Sequence, residues 1–358
     1  MYDDAVADHA VLERIASAMP STSAAGGATS GLAKALLLAV RRPARILHQA
    51  DWIVGRLGGD FAASDANNAL KTGFDPVAHV WPDWLERVGM DTALLPRVYV
   101  PGTPLGTLSQ ATAARFGLPP ETRLFAGTTD GCASFLATGA LEPGEAVTAL
   151  GSTLVLKVLS ERPLFAPEYG LYSHRVGDVW LAGGASNSGG RVLARHFDAA
   201  TLERLSTRID PERDSGLDYY PLVEPGERFP VSDPTLAPRL DPRPADDARF
   251  LHGLLEGIAR IEARGYARLV EIGAPPIRSV RSVGGGAGNP AWARLRQRML
   301  GVPLLPALSS EAAVGTARLA LRALSHPRGA NFGGEEHASA DLGGGESVTG
   351  GAASRPRA

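Results

Sequence analysis

Apolar residues recur at helical spacing through much of the chain. Ala5, Val6, Leu12 and Ile15 predict a helix over residues 2–19. Residues 32–40 predict a second helix. Residues 50–57 predict a third, stopped by Gly58-Gly59. The small, polar segment 21–31 reads as a loop. Residues 64–75, with Asp65, Asn67 and Asn68, read as a loop or short helix. Residues 98–100 and 124–126 read as short strands.

From residue 146 the pattern changes. Strand-like runs over 146–150 and 153–159 flank Gly151-Ser152, a hairpin signal. Residues 179–182 predict a further strand, 187–197 a helix, and the Pro- and charge-rich stretch 219–244 an irregular crossing. The clearest helical pattern covers 246–272. Asp246 can cap it, Leu251, Leu254, Leu255, Ile258 and Ile261 form its apolar face, and Gly273 stops it. A strand (278–283), a Gly-rich turn, a helix (291–300), a strand (302–305) and a helix (311–324) follow. Such alternation builds α/β layers. Residues 329–358 have too little apolar content to support a core and are expected to be disordered.

With 358 residues, the chain can bury two sizeable cores. Its net charge of −2 and scattered arginines argue against nucleic-acid or membrane-surface binding. Lysine occurs only at 34, 71 and 157. Cys132 is the single cysteine, so no intrachain disulfide forms, which suits a reducing cytoplasm. The N-terminus has no signal-peptide pattern, and the longest apolar run, 35–40, cannot span a bilayer. The eight histidines show no paired metal-ligand spacing, so no protein-held metal site is expected. The expected location is the cytoplasm.

Three motifs carry candidate chemistry. Asp130 lies in Ala-Gly-Thr-Thr-Asp-Gly (126–131), where a carboxylate could accept a proton from an alcohol undergoing phosphorylation. The competing reading is an Asx-turn or helix-capping aspartate. Gly151, Ser152 and Thr153 form a turn whose N–H groups and hydroxyls could hold phosphate oxygens, or a hairpin and nothing more. Gly284 to Asn289 (Gly-Gly-Gly-Ala-Gly-Asn) follows a strand and opens a helix, a geometry suited to a nucleotide. It fits neither the dinucleotide fingerprint nor the Walker A loop. No G-x-S-x-G elbow occurs.

In this order the motifs resemble the FGGY family of carbohydrate kinases, most nearly its short D-ribulose/D-xylulose kinase-like branch. Met-Tyr-Asp-Asp-Ala at the start resembles a substrate-side motif, with Val6 where the family has Arg. Lys34, residues 47–52 and 64–75, and residues 311–317 resemble further family segments. The resemblance implies an α/β fold of two RNase H-like (actin-like ATPase) domains around a cleft, the first incomplete. Residues 1–140 would be the partial sugar-side domain, 141–325 the nucleotide-side domain, and 326–358 a disordered tail. Asp130 would be the base, and Asp4 and Asp130 would contact substrate. Gly151, Ser152, Thr153, Gly285, Gly286 and Asn289 would hold ATP, with Mg²⁺ neutralising its phosphates. The partners would be a sugar and ATP; a homodimer is allowed. The family's opening Asp-Phe-Gly-Thr hairpin is not in this sequence, so the chain is expected to be N-terminally truncated. Two other readings stay open: a catalytically impaired nucleotide- or sugar-binding remnant, and an actin- or chaperone-like ATPase.

Overall fold

The computed structural model describes residues 4–325. Tyr2, Asp3 and the expected tail 326–358 lie outside the described residues. The first part holds α1 (His9–Ala18), α2 (Gly31–Ala39), α3 (Gln49–Gly58), β1 (Ala63–Asp65), α4 (Ala66–Ala69), α5 (Trp84–Arg87), β2 (Arg97–Tyr99), β3 (Pro104–Thr107), α6 (Gln110–Phe116), β4 (Arg123–Phe125) and α7 (Asp130–Ala137). The second holds β5 (Glu145–Leu150), β6 (Leu154–Ser160), β7 (His174–Val176), β8 (Val179–Ser186), α8 (Gly190–His196), α9 (Ala199–Ser206), α10 (Asp247–Ile272), β9 (Ser279–Val283), α11 (Pro290–Leu300), β10 (Leu304–Leu305) and α12 (Ala312–Ser325).

Local chemistry explains where several elements begin. The expected first helix starts only at His9, because Asp8 accepts from the N–H groups of Ala10 and Val11. Val6 N–H meanwhile donates to Ala28 O and holds the preceding residues out of the helix. α10 begins and ends as its sequence predicts, with Asp246 as cap and Gly273 in the left-handed conformation at φ +119°. α8 begins at Gly190, not at residue 187, because Gly189 (φ +139°) turns the chain between β8 and the helix.

Six strands form one sheet in the order β10-β9-β5-β6-β8-β7. β5, β6 and β8 run antiparallel in succession, and β9 and β10 run parallel to β5. This is the RNase H-like arrangement the resemblance implies. Among the described residues, the first part has two two-stranded sheets, β1-β2 (parallel) and β3-β4 (antiparallel). Neither β1 (Ala-Ser-Asp), β3 (Pro-Leu-Gly-Thr) nor β7 (His-Arg-Val) follows from the sequence pattern, because each is short and holds at most one large apolar residue.

Strand alternation sorts the sheet's two faces. Ala146 and Leu150 of β5, with Leu154, Leu156 and Val158 of β6, join the core built on α10. Val147 and Leu159 face the opposite way, into a cluster with Cys132, Phe135 and Leu136 of α7 and Leu319 of α12. α7 and α12 touch backbone to backbone: a Cβ on Gly315 would lie 1.8 Å from Ala133 O. The sheet thus carries α7, and Asp130 at its head, on one face, and α10 on the other.

Candidate active site

Asp130 is exposed at the first position of α7, and its Oδ1 accepts the N–H of Gly131 at 2.6 Å. The helix N-terminus favours its negative charge. The loop that delivers it is fixed from two directions. Asn67, buried at the start of α4, donates from Nδ2 to Thr128 Oγ1 and to Arg175 O (both 2.8 Å), and its Oδ1 accepts from Arg175 N (2.8 Å). From the sheet, Lys157 Nζ donates to Gly131 O at 2.6 Å. Burial holds the Lys157 ammonium below the usual lysine range, against the opposing pull of Cys132 and Asp130. Burial pushes the Cys132 thiol up, with Lys157 acting the other way. His174 on β7 is driven down to about 3 by burial and then by the charges of Lys157 and Lys71, so it is neutral at physiological pH.

The phosphate-type turns meet elsewhere. Gly151, Ser152, Gly285, Gly286 and Asn289 line one cavity of about 1260 Å³, with α8, α9 and α11 supplying the other walls. Thr153 follows in the same turn but does not line the cavity, and neither does Asp130. The carbonyls of Gly151 and Ser152 accept from the N–H groups of Gly190 (2.8 Å) and Arg191 (3.0 Å). Among the described residues, none accepts from the N–H of Ser152 or Thr153.

The glycine run divides by physical need. Gly284 has φ +89°, and a Cβ there would lie 2.8 Å from Leu150 O. A Cβ on Gly286 would lie 2.4 Å from the Trp292 ring. Packing therefore accounts for both. A Cβ on Gly285 or Gly288 would meet nothing within 4 Å, so both leave backbone open to the cavity. Asn289 caps α11 by accepting from Trp292 N (3.1 Å) and donates to Ser206 Oγ (2.8 Å). Its amide is thus committed to the fold while the residue lines the cavity.

Asp4 is exposed ahead of α1, outside both the cavity and the Asp130 contacts described above. No cluster of three or more His, Cys, Asp or Glu side chains able to hold a metal ion occurs among the described residues. None of them is therefore assigned to Mg²⁺. No helix of the described residues is long and apolar enough to cross a membrane.

Sequence reasoning missed Lys157, Asn67, Thr128 and His174 as parts of this site. One signal was available for Lys157. It interrupts an apolar strand, Leu-Val-Leu-Lys-Val-Leu-Ser (154–160), in a chain with lysines only at 34, 71 and 157.

The model of the C-terminal domain of the FGGY family of carbohydrate kinases matches residues 146–324, half of the chain. The chain belongs to the FGGY family of carbohydrate kinases. Autoinducer-2 kinase of Enterobacter sp. (strain 638) is 25% identical over 324 residues, covering 81% of this chain and 60% of that kinase. Xylulose kinase of Streptomyces coelicolor is 27% identical over 292 residues, covering 75% of this chain and 55% of that kinase. The crystal structure of xylulose kinase from Bifidobacterium adolescentis superposes with a TM-score of 0.75 at 20% identity, covering 91% of this chain and 76% of that one. This last likeness bears on the fold. The chain spans 60% and 55% of the lengths of the two curated relatives.

Proposed function

We propose that this FGGY chain serves an ATP-dependent kinase that phosphorylates a hydroxyl of a pentulose such as D-ribulose or D-xylulose. The observation that carries the reading is the single cavity uniting the Gly151-Ser152 turn with Gly285, Gly286 and Asn289. Residues 1–140 would form the sugar side and 141–325 the nucleotide side, with α7, the last helix of the first part, packed on the sheet of the second. The open backbone at Gly285 and Gly288 and the free N–H groups at Ser152 and Thr153 fit a nucleotide lying along the cavity. ATP, when bound, supplies the phosphoryl group. Asp130 accepts the proton of the sugar hydroxyl while that oxygen bonds to the γ-phosphorus and the bond to the β-phosphate oxygen breaks, releasing ADP. Asp4 is proposed as a sugar-side contact from the motif likeness alone. The site requires no membrane or nucleic acid, and the cytoplasm is the proposed location.

The test is ADP formation by the chain with ATP, Mg²⁺ and a panel of pentuloses and related polyols. Turnover dependent on D-xylulose or D-ribulose is expected. Turnover with a different polyol alone would correct the substrate class. Asp130 lies outside the cavity, which favours a second reading, a catalytically impaired nucleotide- or sugar-binding remnant. ATP binding without turnover on any sugar would establish it instead.

A matched pair of substitutions separates ligand contact from packing. Gly285→Val has free space and no positive φ to violate. It should leave the melting temperature unchanged yet weaken ATP binding by roughly tenfold or more, through a side chain placed where the nucleotide runs. Gly286→Ala collides with Trp292 and should lower stability by about 1–3 kcal/mol. Thermal melts and ATP titration calorimetry on both variants check this. A destabilised Gly285→Val with intact ATP affinity would remove Gly285 from the nucleotide site.

A further inference from the structure

Lys157 is half-buried on the α7-facing side of β6. Among the described residues no carboxylate forms an ion pair with its ammonium, and its one hydrogen bond goes to a main-chain carbonyl, Gly131 O at 2.6 Å. Two glycines stand beside this side chain. A Cβ on Gly131 would lie 3.0 Å from Nζ, and a Cβ on Gly183 would lie 2.9 Å from its Cγ. β6 points Lys157 to the α7 face, alongside Leu159. Gly131 is also the residue whose N–H binds the Asp130 carboxylate. One residue thus receives the ammonium on its carbonyl and offers its N–H to the candidate base.

We propose that Lys157 is a positioning residue for Asp130: its ammonium anchors Gly131 and so fixes the direction in which the carboxylate meets the acceptor hydroxyl. This rests on the reading of Asp130 as base. The groups facing Lys157 are Asp130 and Cys132 from α7 and His174 from β7, with Lys71 beyond His174. A lysine held below its ordinary range loses its proton, and with it the charge-assisted bond, as pH rises through that lowered value. An arginine there would stay charged.

The experiment uses the full chain, its Lys157→Met and Lys157→Arg variants, kinetics against pH, and amide hydrogen exchange over residues 128–133 corrected for intrinsic rates. Lys157→Met should lower kcat on the order of tenfold to a hundredfold, the scale of a small misplacement of a reacting group. The KM for ATP should stay within about twofold, because Lys157 does not line the nucleotide cavity. Lys157→Arg should recover most of kcat and lose the alkaline limb seen in the native chain. Exchange over 128–133 should quicken in Lys157→Met and, at alkaline pH, in the native chain but not in Lys157→Arg. Unchanged kcat and unchanged exchange in Lys157→Met, or an alkaline limb retained in Lys157→Arg, would overturn the proposal. If no sugar is turned over, the kinase reading fails on its own, and exchange still decides whether Lys157 holds this turn. If Lys157→Met does not fold, the native and Lys157→Arg pH dependences decide it.

Discussion

Asp130→Asn is expected to lower kcat for sugar phosphorylation by about 10²–10⁴-fold, the usual worth of a positioned general base. It should do so without loosening the fold. Asp130 is exposed, and the bond it makes within the described residues is to the N–H of Gly131. An asparagine Oδ1 can accept that same N–H, so the start of α7 should keep its shape. What the amide cannot do is take a proton. Asp130 lies outside the nucleotide cavity, so the Kd for ATP should stay within about twofold of the native value, since no contact there is removed. Rates at saturating ATP and ATP titration calorimetry, run beside a thermal melt, measure all three quantities. Equal turnover by the native and Asp130→Asn chains would end the assignment of Asp130 as base. A parallel fall in ATP affinity would mean instead that the head of α7 shapes the nucleotide cavity.

Elements whose signals are local were legible in the sequence. The long helix α10 shows both ends through one cap and one left-handed glycine. The β5-β6 hairpin shows through Gly151-Ser152 between two apolar runs. Motif order alone carries the likeness to the FGGY family. The supports of Asp130 could not be read this way, because they are contacts between distant residues. Asn67 reaches Thr128 across 61 positions and Arg175 across 108, and neither partner carries a local mark of the contact. The glycine run shows the same limit in finer detail. Its composition pointed to a ligand loop, but only the packing separates Gly284 and Gly286, which Leu150 and Trp292 require, from Gly285, which nothing in the protein requires. Asn289 was legible as the end of the Gly-rich turn. That its amide caps α11 and binds Ser206 was not, because Ser206 is 83 positions away.

Arg296→Met is expected to destabilise the chain by about 3–5 kcal/mol, the cost of leaving a buried ion without its partner. Arg296 is 1% exposed and Glu262 0%. Their contact is bidentate, with Nε to Oε2 at 2.6 Å and Nη2 to Oε1 at 2.7 Å. Arg296 also donates to Ser282 Oγ at 2.7 Å, and Thr148 Oγ1 donates to Glu262 Oε1 at 2.5 Å. The cluster therefore joins α10 and α11 to β5 and β9. Those strands run directly into the Gly151-Ser152 turn and the Gly284–Asn289 turn, so the same ion pair sets the spacing of the cavity's two loops. Removing the arginine strands the Glu262 carboxylate with a single hydroxyl donor. Burial and the charge of Glu262 already hold the neighbouring Tyr266 phenol well above its usual range, so it stays a neutral neighbour and cannot replace the cation. Replacing both ions, as Glu262→Leu with Arg296→Met, should return most of the lost stability, because apolar residues of similar volume need no desolvated charge. Urea unfolding of the single and double variants measures the difference. The double variant should still bind ATP more weakly than the native chain, since stability can be regained without restoring the spacing that the bidentate contact dictates. A double variant as unstable as Arg296→Met would instead place the loss in the packing of α11 on α10.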